Sequence, residues 1–221
     1  MKKTILFLLP AAISSTAFAQ LTHTSDQRAI TAWVFGFPGP PAAGVTTATG
    51  FNTIPSQPFA DFDESQTINF QSPFGVNFNG TSSQTSTLNS FGGDFTLGGN
   101  ITASDVGTVE SIFDVSFEAT ANQALSVSGT SMIDLAATNR FRVFEDGNQI
   151  FTFSDFGFSP IDSFNSTLNL TAGKQYRILS TATISGIASN TTFSGSYSVV
   201  PEPSSSLCVM LSSVFLLRRK R

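Results

Sequence analysis

Cysteine is missing from the body of this 221-residue chain, since the single Cys208 stands near the C-terminus. Internal disulfides and thiol catalysis are thereby excluded, and the core must carry the stability unaided. Histidine is almost as scarce. A Ser-His-Asp triad or a histidine metal site would depend on His23 alone, close to the start of the body where chains are commonly loose, so His23 reads as an ordinary surface residue. Cations are few as well. Six of the 11 basic residues stand at the two ends, at Lys2, Lys3, Arg218, Arg219, Lys220 and Arg221, which leaves five in residues 20–200 against 14 acids, a net of −9. On this balance the sequence offers no basic patch to neutralise phosphates, which argues against nucleic acid as a partner. Long charged helix formers are sparse too, and no stretch of the body holds a 3.6-residue apolar period for three turns.

What the chain has is phenylalanine, 23 of them, set among Ser, Thr, Gly and Asn. The clearest period is two. Phe113, Val115, Phe117 and Ala119 alternate with Asp114, Ser116 and Glu118, the pattern of a strand with one buried face and one wet face. The alternation returns at Leu125 and Val127, Phe141 and Val143, Leu168 and Leu170, Tyr176 and Ile178, and from Phe193 through Gly195 and Tyr197 to Val199. Asp146-Gly147-Asn148, between 141–145 and 149–153, supplies the positive backbone dihedrals of a tight hairpin. Ala172-Gly173-Lys174 joins 168–171 to 175–180 as a second strand, turn, strand unit. Residues 28–35 read as an opening strand, broken by Gly36-Phe37-Pro38-Gly39-Pro40-Pro41. Candidate strands at 59–62, 66–71 and 74–78 follow, and the polar stretch 81–87 reads as a loop. The expectation is an all-β fold, an antiparallel two-sheet sandwich of jelly-roll type in one domain over residues 20–200, with an N-terminal signal helix and a short C-terminal apolar helix.

The first nineteen residues run from Lys2 and Lys3 through an apolar stretch, Ile5 to Ile13, to Ala17-Phe18-Ala19. That order predicts a secretory signal peptide cut between Ala19 and Gln20. No cysteine follows the cut, so acylation of the new N-terminus is not supported. The chain closes with Pro201-Glu202-Pro203-Ser204, an apolar run from Leu207 to Leu217, and Arg218-Arg219-Lys220-Arg221. As a helix that run would be about 16 Å long, half of the roughly 30 Å hydrocarbon layer, a poor permanent anchor.

These three elements in this order resemble the PEP-CTERM sorting signal, the bacterial tail read by the membrane-embedded cysteine peptidases called exosortases. The resemblance implies that Pro201, Glu202, Pro203 and Ser204 form the recognition element and that residues 218–221 are a cytoplasmic stop. It implies further that signal peptidase and then exosortase are the processing partners. The protein would be held transiently at the inner membrane and then delivered to the cell surface or the extracellular, biofilm matrix. Basic residues resist crossing a membrane, and the two prolines keep the motif extended, which agrees with this order. The run is shorter than usual and holds Cys208, Ser212 and Ser213. Cys208 reads as a small apolar residue within it, and the four terminal cations argue against a GPI signal.

For the body the sequence points to a non-enzymatic, structural or adhesive protein without a cofactor. The alternative is a carbohydrate-binding module that takes an exopolysaccharide. Trp33, Tyr176 and Tyr197 are its only aromatics with a polar handle, but the parity of the two tyrosines places them inward, and Trp33 sits in an apolar run. A third reading is a glycoside hydrolase using carboxylates from Asp61, Asp63, Glu64 or Glu145. Asp61, Asp63 and Glu64 are also the candidate Ca²⁺ ligands, although they lack the spacing of an EF-hand loop. Five Asn-X-Thr triplets, at Asn79, Asn100, Asn165, Asn169 and Asn190, are potential glycan acceptors that a bacterial source would make coincidental.

Overall fold

The computed structural model describes residues 20–34, 51–71, 77–103, 107–157 and 161–200. Thirteen strands occur among them: β1 (Leu21–Asp26), β2 (Ala29–Val34), β3 (Phe51–Pro55), β4 (Phe62–Gln71), β5 (Asn77–Asn89), β6 (Gly92–Ala103), β7 (Gly107–Ala119), β8 (Gln123–Ile133), β9 (Ala137–Glu145), β10 (Asn148–Phe156), β11 (Asp162–Leu170), β12 (Gln175–Ser185) and β13 (Ser189–Val200). Sheet I has the order β10-β9-β12-β7-β2-β3, with β1 also paired to β7; sheet II has the order β11-β8-β13-β6-β5-β4. Every pairing is antiparallel. The fold is therefore an all-β sandwich, as the alternation predicts. The helices expected within 1–19 and 201–221 lie outside the described residues, as do the proline-rich break after Phe35 and most of the candidate strand 74–78.

The inward parity read from the sequence holds where it was clearest. Phe113, Val115, Phe117, Phe141, Val143 and Ile178 face the interior from sheet I, and Leu125, Val127, Phe193 and Tyr197 meet them from sheet II, all fully or almost fully buried. A smaller cluster, with Phe78, Ile101, Val109 and Ile184, fills the other end. The residues between the clusters along their strands are polar: Ser111 follows Val109, and Asn139 stands between Ala137 and Phe141. Asn139 donates to Ser131 Oγ at 2.8 Å and accepts from Thr191 Oγ1 at 2.8 Å, so this polar seam bonds across the sandwich.

The Asp146-Gly147 turn joins β9 to β10 as the predicted hairpin, with φ of 46° and 82° at its two central residues. The strand, turn, strand unit through Gly173 is present as well, and because β11 pairs with β8 and β12 with β7 and β9 its turn crosses from one sheet to the other. The expected loop at 81–87 is a correction, because it forms the middle of β5. Its inner face is polar rather than apolar: Ser82, Gln84 and Ser86 are buried. The Gln84 amide donates to the carbonyls of Ile112 (2.9 Å) and Ala29 (3.2 Å) and accepts from Ser86 Oγ (3.3 Å), so polar partners stand in for hydrophobic ones.

The opening of the body holds a buried charge. β1 and β2 run along the same edge of β7, interrupted where the Gln27 amide bonds the Asp114 carbonyl. At the interruption Arg28 turns inward and forms a bidentate pair with Asp26, at 2.9 and 2.7 Å, both side chains shut off from solvent. Arg28 also donates to Ser86 Oγ at 2.9 Å and to the Ala60 carbonyl. Asp26 accepts in addition from Ser56 Oγ (3.1 Å) and the Phe59 amide (2.8 Å). One ion pair thus ties the 56–60 connection to β1, β2 and β5.

Candidate functional site

Sheet II turns its charge-poor face outward. Side chains alternate along each strand, and the antiparallel register lines the outward ones into rows across the sheet. One row runs Ser163, Thr130, Ser194, Thr96, Thr85 and Asp63, over all six strands. The next runs Asn165, Ser128, Ser196, Asp94 and Thr87. Neighbouring hydroxyls bond within the rows: Thr96 with Ser194 at 3.0 Å, Ser128 with Ser196 at 3.0 Å, and Thr85 with Asp63 Oδ1 at 3.1 Å. No lysine or arginine stands on this face among the described residues.

The two rows enclose a shallow groove of about 510 Å³ over β6, β8, β11 and β13. Gly129 and Gly195 lie opposite one another at its floor. Both occupy inward positions, where a Cβ on Gly129 would stand 2.5 Å from a Phe164 ring carbon and one on Gly195 would collide with the Phe95 ring. The glycines let those rings press flat against the backbone beneath the groove. The Asn-X-Thr triplets share this geography, since Asn79, Asn100, Asn165, Asn169 and Asn190 are all exposed on strands of sheet II. Positions two apart in a strand face the same way, so an Asn-X-Thr pattern is what a polar outer face produces.

The residues singled out in the sequence fall elsewhere. Asp61, Asp63 and Glu64 are exposed at and just before the start of β4, at the edge of sheet II. Strand alternation sends Asp63 and Glu64 to opposite faces, and among the described residues no group of three or more acidic, histidine or cysteine side chains gathers as metal ligands. Glu145 belongs to β9, at the opposite end of the strand order in the other sheet. Glu145 and the three acids at and just before the start of β4 therefore belong to different sheets rather than to one facing pair. Glu145 Oε2 accepts from the Tyr176 hydroxyl at 3.0 Å, and that hydroxyl accepts from the Thr171 amide at 2.8 Å. Asp146 pairs with Lys174 at the hairpin surface.

Tyr176 and Tyr197 are core residues, each 1% exposed, and Trp33 is half-buried. His23 is a correction. It is a half-buried member of β1, bonded through Nε2 to the Tyr197 hydroxyl at 2.9 Å and packed edge-on to Phe117. Burial lowers its pKa from the ordinary histidine value, and burial drives the Tyr197 phenol strongly upward. Gln20, the residue after the expected cut, is exposed, and its carbonyl accepts from Thr120 Oγ1 at 2.8 Å. Ala19, Pro201, Glu202, Pro203, Ser204 and residues 218–221 lie outside the described residues.

Sequence reasoning missed the groove because its rows join strands far apart in the chain. The only local signal was the hydroxyl-rich alternate positions of each strand.

No family model matches the sequence, and no curated protein matches it. Among solved structures the chain is similar to the enzymatically active domain of bacteriophage CBA120 tailspike protein 4, at 9% identity and a TM-score of 0.35, over 62% of this chain and 19% of that one. It is similar to TmCBM61 in complex with beta-1,4-galactotriose at 11% identity and a TM-score of 0.30, over 62% of this chain and 88% of that one. A family 35 carbohydrate-binding module from Clostridium thermocellum is matched at 13% identity and a TM-score of 0.24, over 62% of this chain and 90% of that one.

Proposed function

We propose that the body is a non-catalytic module that binds a neutral polysaccharide on the outer face of sheet II, and that the two ends of the chain carry it to the cell surface or extracellular matrix. One observation carries the binding reading: the groove lined by Ser128, Thr130, Ser194, Thr96 and Asn165. Each hydroxyl both donates and accepts, as sugar hydroxyls do. Adjacent strands repeat about every 4.8 Å, close to the length of one pyranose, so a glycan laid across the strands meets a fresh hydroxyl at each sugar. The body itself is a jelly roll in this reading. The order β11-β8-β13-β6 facing β10-β9-β12-β7 supports it, being the winding of two interleaved Greek keys.

Retention of the purified protein on a panel of immobilised neutral exopolysaccharides at low salt tests the binding. Replacing Thr96 and Ser194 with arginine fills the groove with two long side chains and should abolish retention while leaving the melting temperature within about 1 °C. Wild type passing through every polymer unretained overturns the reading.

The routing rests on the two terminal signals. The mass of the C-terminal peptide, compared between a host with an exosortase and a strain lacking it, is expected to end near Pro203 only when the enzyme is present. Arg221 retained in both strains refutes it.

A further inference from the structure

The outer face of sheet I is chemically the opposite of sheet II. Of the five cations in the body, only Arg28 is interior; Arg140, Arg142 and Arg177 project outward from β9 and β12, and Lys174 stands in the turn beside them. Two are already neutralised, Arg177 by Asp114 at 2.7 and 2.6 Å and Lys174 by Asp146. Arg140 and Arg142 have no ion-pair partner among the described residues. Two apart on one strand, they sit about 6.8 Å from each other on the same face. Phe156 lies 5.3 Å from the Arg140 guanidinium and Phe144 lies 5.9 Å from that of Arg142, so aromatic rings flank both forks.

The arginines line a groove of about 290 Å³ with Thr138, Thr181, Thr183 and Ser185, and Glu110 closes its far side. We infer that this groove is a second binding site, for an acidic polysaccharide read through the carboxylates of its sugars. A guanidinium fork matches a carboxylate bidentately, and the threonine hydroxyls suit the remaining sugar oxygens. The net charge of −9 on the body opposes duplex nucleic acid, with one charge per about 1.7 Å of axis, more than it opposes a single glycan chain whose carboxylates stand one pyranose apart. Glu110, in reach of Thr183 Oγ1 at 3.4 Å, sets the polarity of the groove: it repels the ligand when ionised, and burial raises its pKa. The site stands on another sheet from the neutral groove and does not depend on that reading.

Calorimetric titration of the full-length protein with an oligogalacturonate, and with the same oligomer after reduction of its carboxyl groups, tests the inference. The charged oligomer should bind, with an affinity that falls as salt is added, and the reduced one should bind at least about tenfold more weakly. R140Q/R142Q should lower affinity for the charged oligomer by about tenfold or more, and E110Q should raise it. Circular dichroism of the variants checks that they fold, and the comparison of the two oligomers on wild type stands even if one does not. Equal affinity for both oligomers, no binding of the charged one, or folded R140Q/R142Q binding as wild type does would each overturn the assignment.

Discussion

Asn in place of Asp26 removes a single charge and leaves the Arg28 guanidinium buried without its counter-ion. The carboxylate accepts from Arg28 Nε and Nη2, from the Arg28 and Phe59 amides and from Ser56 Oγ, and neither Asp26 nor Arg28 has an exposed side-chain surface from which water could substitute. Breaking a buried pair by removing one partner typically costs about 3–5 kcal/mol. For a body of this size each kcal/mol moves the melting temperature by about 2–4 °C, so D26N should melt about 6–20 °C lower than wild type at neutral pH. The pH dependence follows from the sign of the shift. Burial pushes the Asp26 carboxyl up, but the bonds from Arg28 and the two amides outweigh it, so it titrates below the ordinary carboxylate range. A depressed folded-state pKa contributes stability above the unfolded value of about 3.9, lost as pH falls through the folded value. The gap between wild type and D26N should therefore narrow below about pH 4. In the double variant D26N/R28M the stranded cation is gone, and its loss should fall short of the two single losses combined by about 2 kcal/mol. Calorimetric melting across pH measures all of this. D26N melting within about 2 °C of wild type at pH 7, or strict additivity in the double variant, would refute the reasoning.

Gly195→Ala should cost about 1–3 kcal/mol in urea denaturation, because the added methyl meets the Phe95 ring; F95L in the same chain should restore part of it. Gly147→Ala, at φ of 82° in the β9–β10 turn, should cost about 1 kcal/mol, read from the same curves. His23 titrates below its ordinary value because burial disfavours its cation. Its stabilising contribution is complete above the unfolded pKa of about 6.5 and fades as pH falls through the folded value, a limb that should be missing from the stability profile of H23Q.

The strands with an apolar inner face were legible in the sequence because burial alone explains them: Phe113, Val115 and Phe117 need no knowledge of their neighbours. β5 was not. Ser82, Gln84 and Ser86 are interior because Arg28 and the carbonyls of Ala29, Ile112 and Glu110 meet them there, partners that only the folded chain brings near. The same limit hid the role of His23, whose partner Tyr197 is 174 residues away. Neither groove was readable either. The Arg140 and Arg142 pair is visible as an i, i+2 spacing on a predicted strand, but that neither has a counter-ion is a property of β7 and β12, not of β9.

β13 is flanked on both sides, by β6 from Ser189 to Ser198 and by β8 from Thr191 to Val200. A load applied at Val200 along the strand direction acts on both ladders in shear, so their hydrogen bonds must yield together. Had the last strand been an edge, a single ladder would carry that shear, and had the pull come across the sheet the bonds would open one at a time. The C-terminal end of the sandwich is thus braced by two neighbouring strands, and a load entering at Val200 is shared between them.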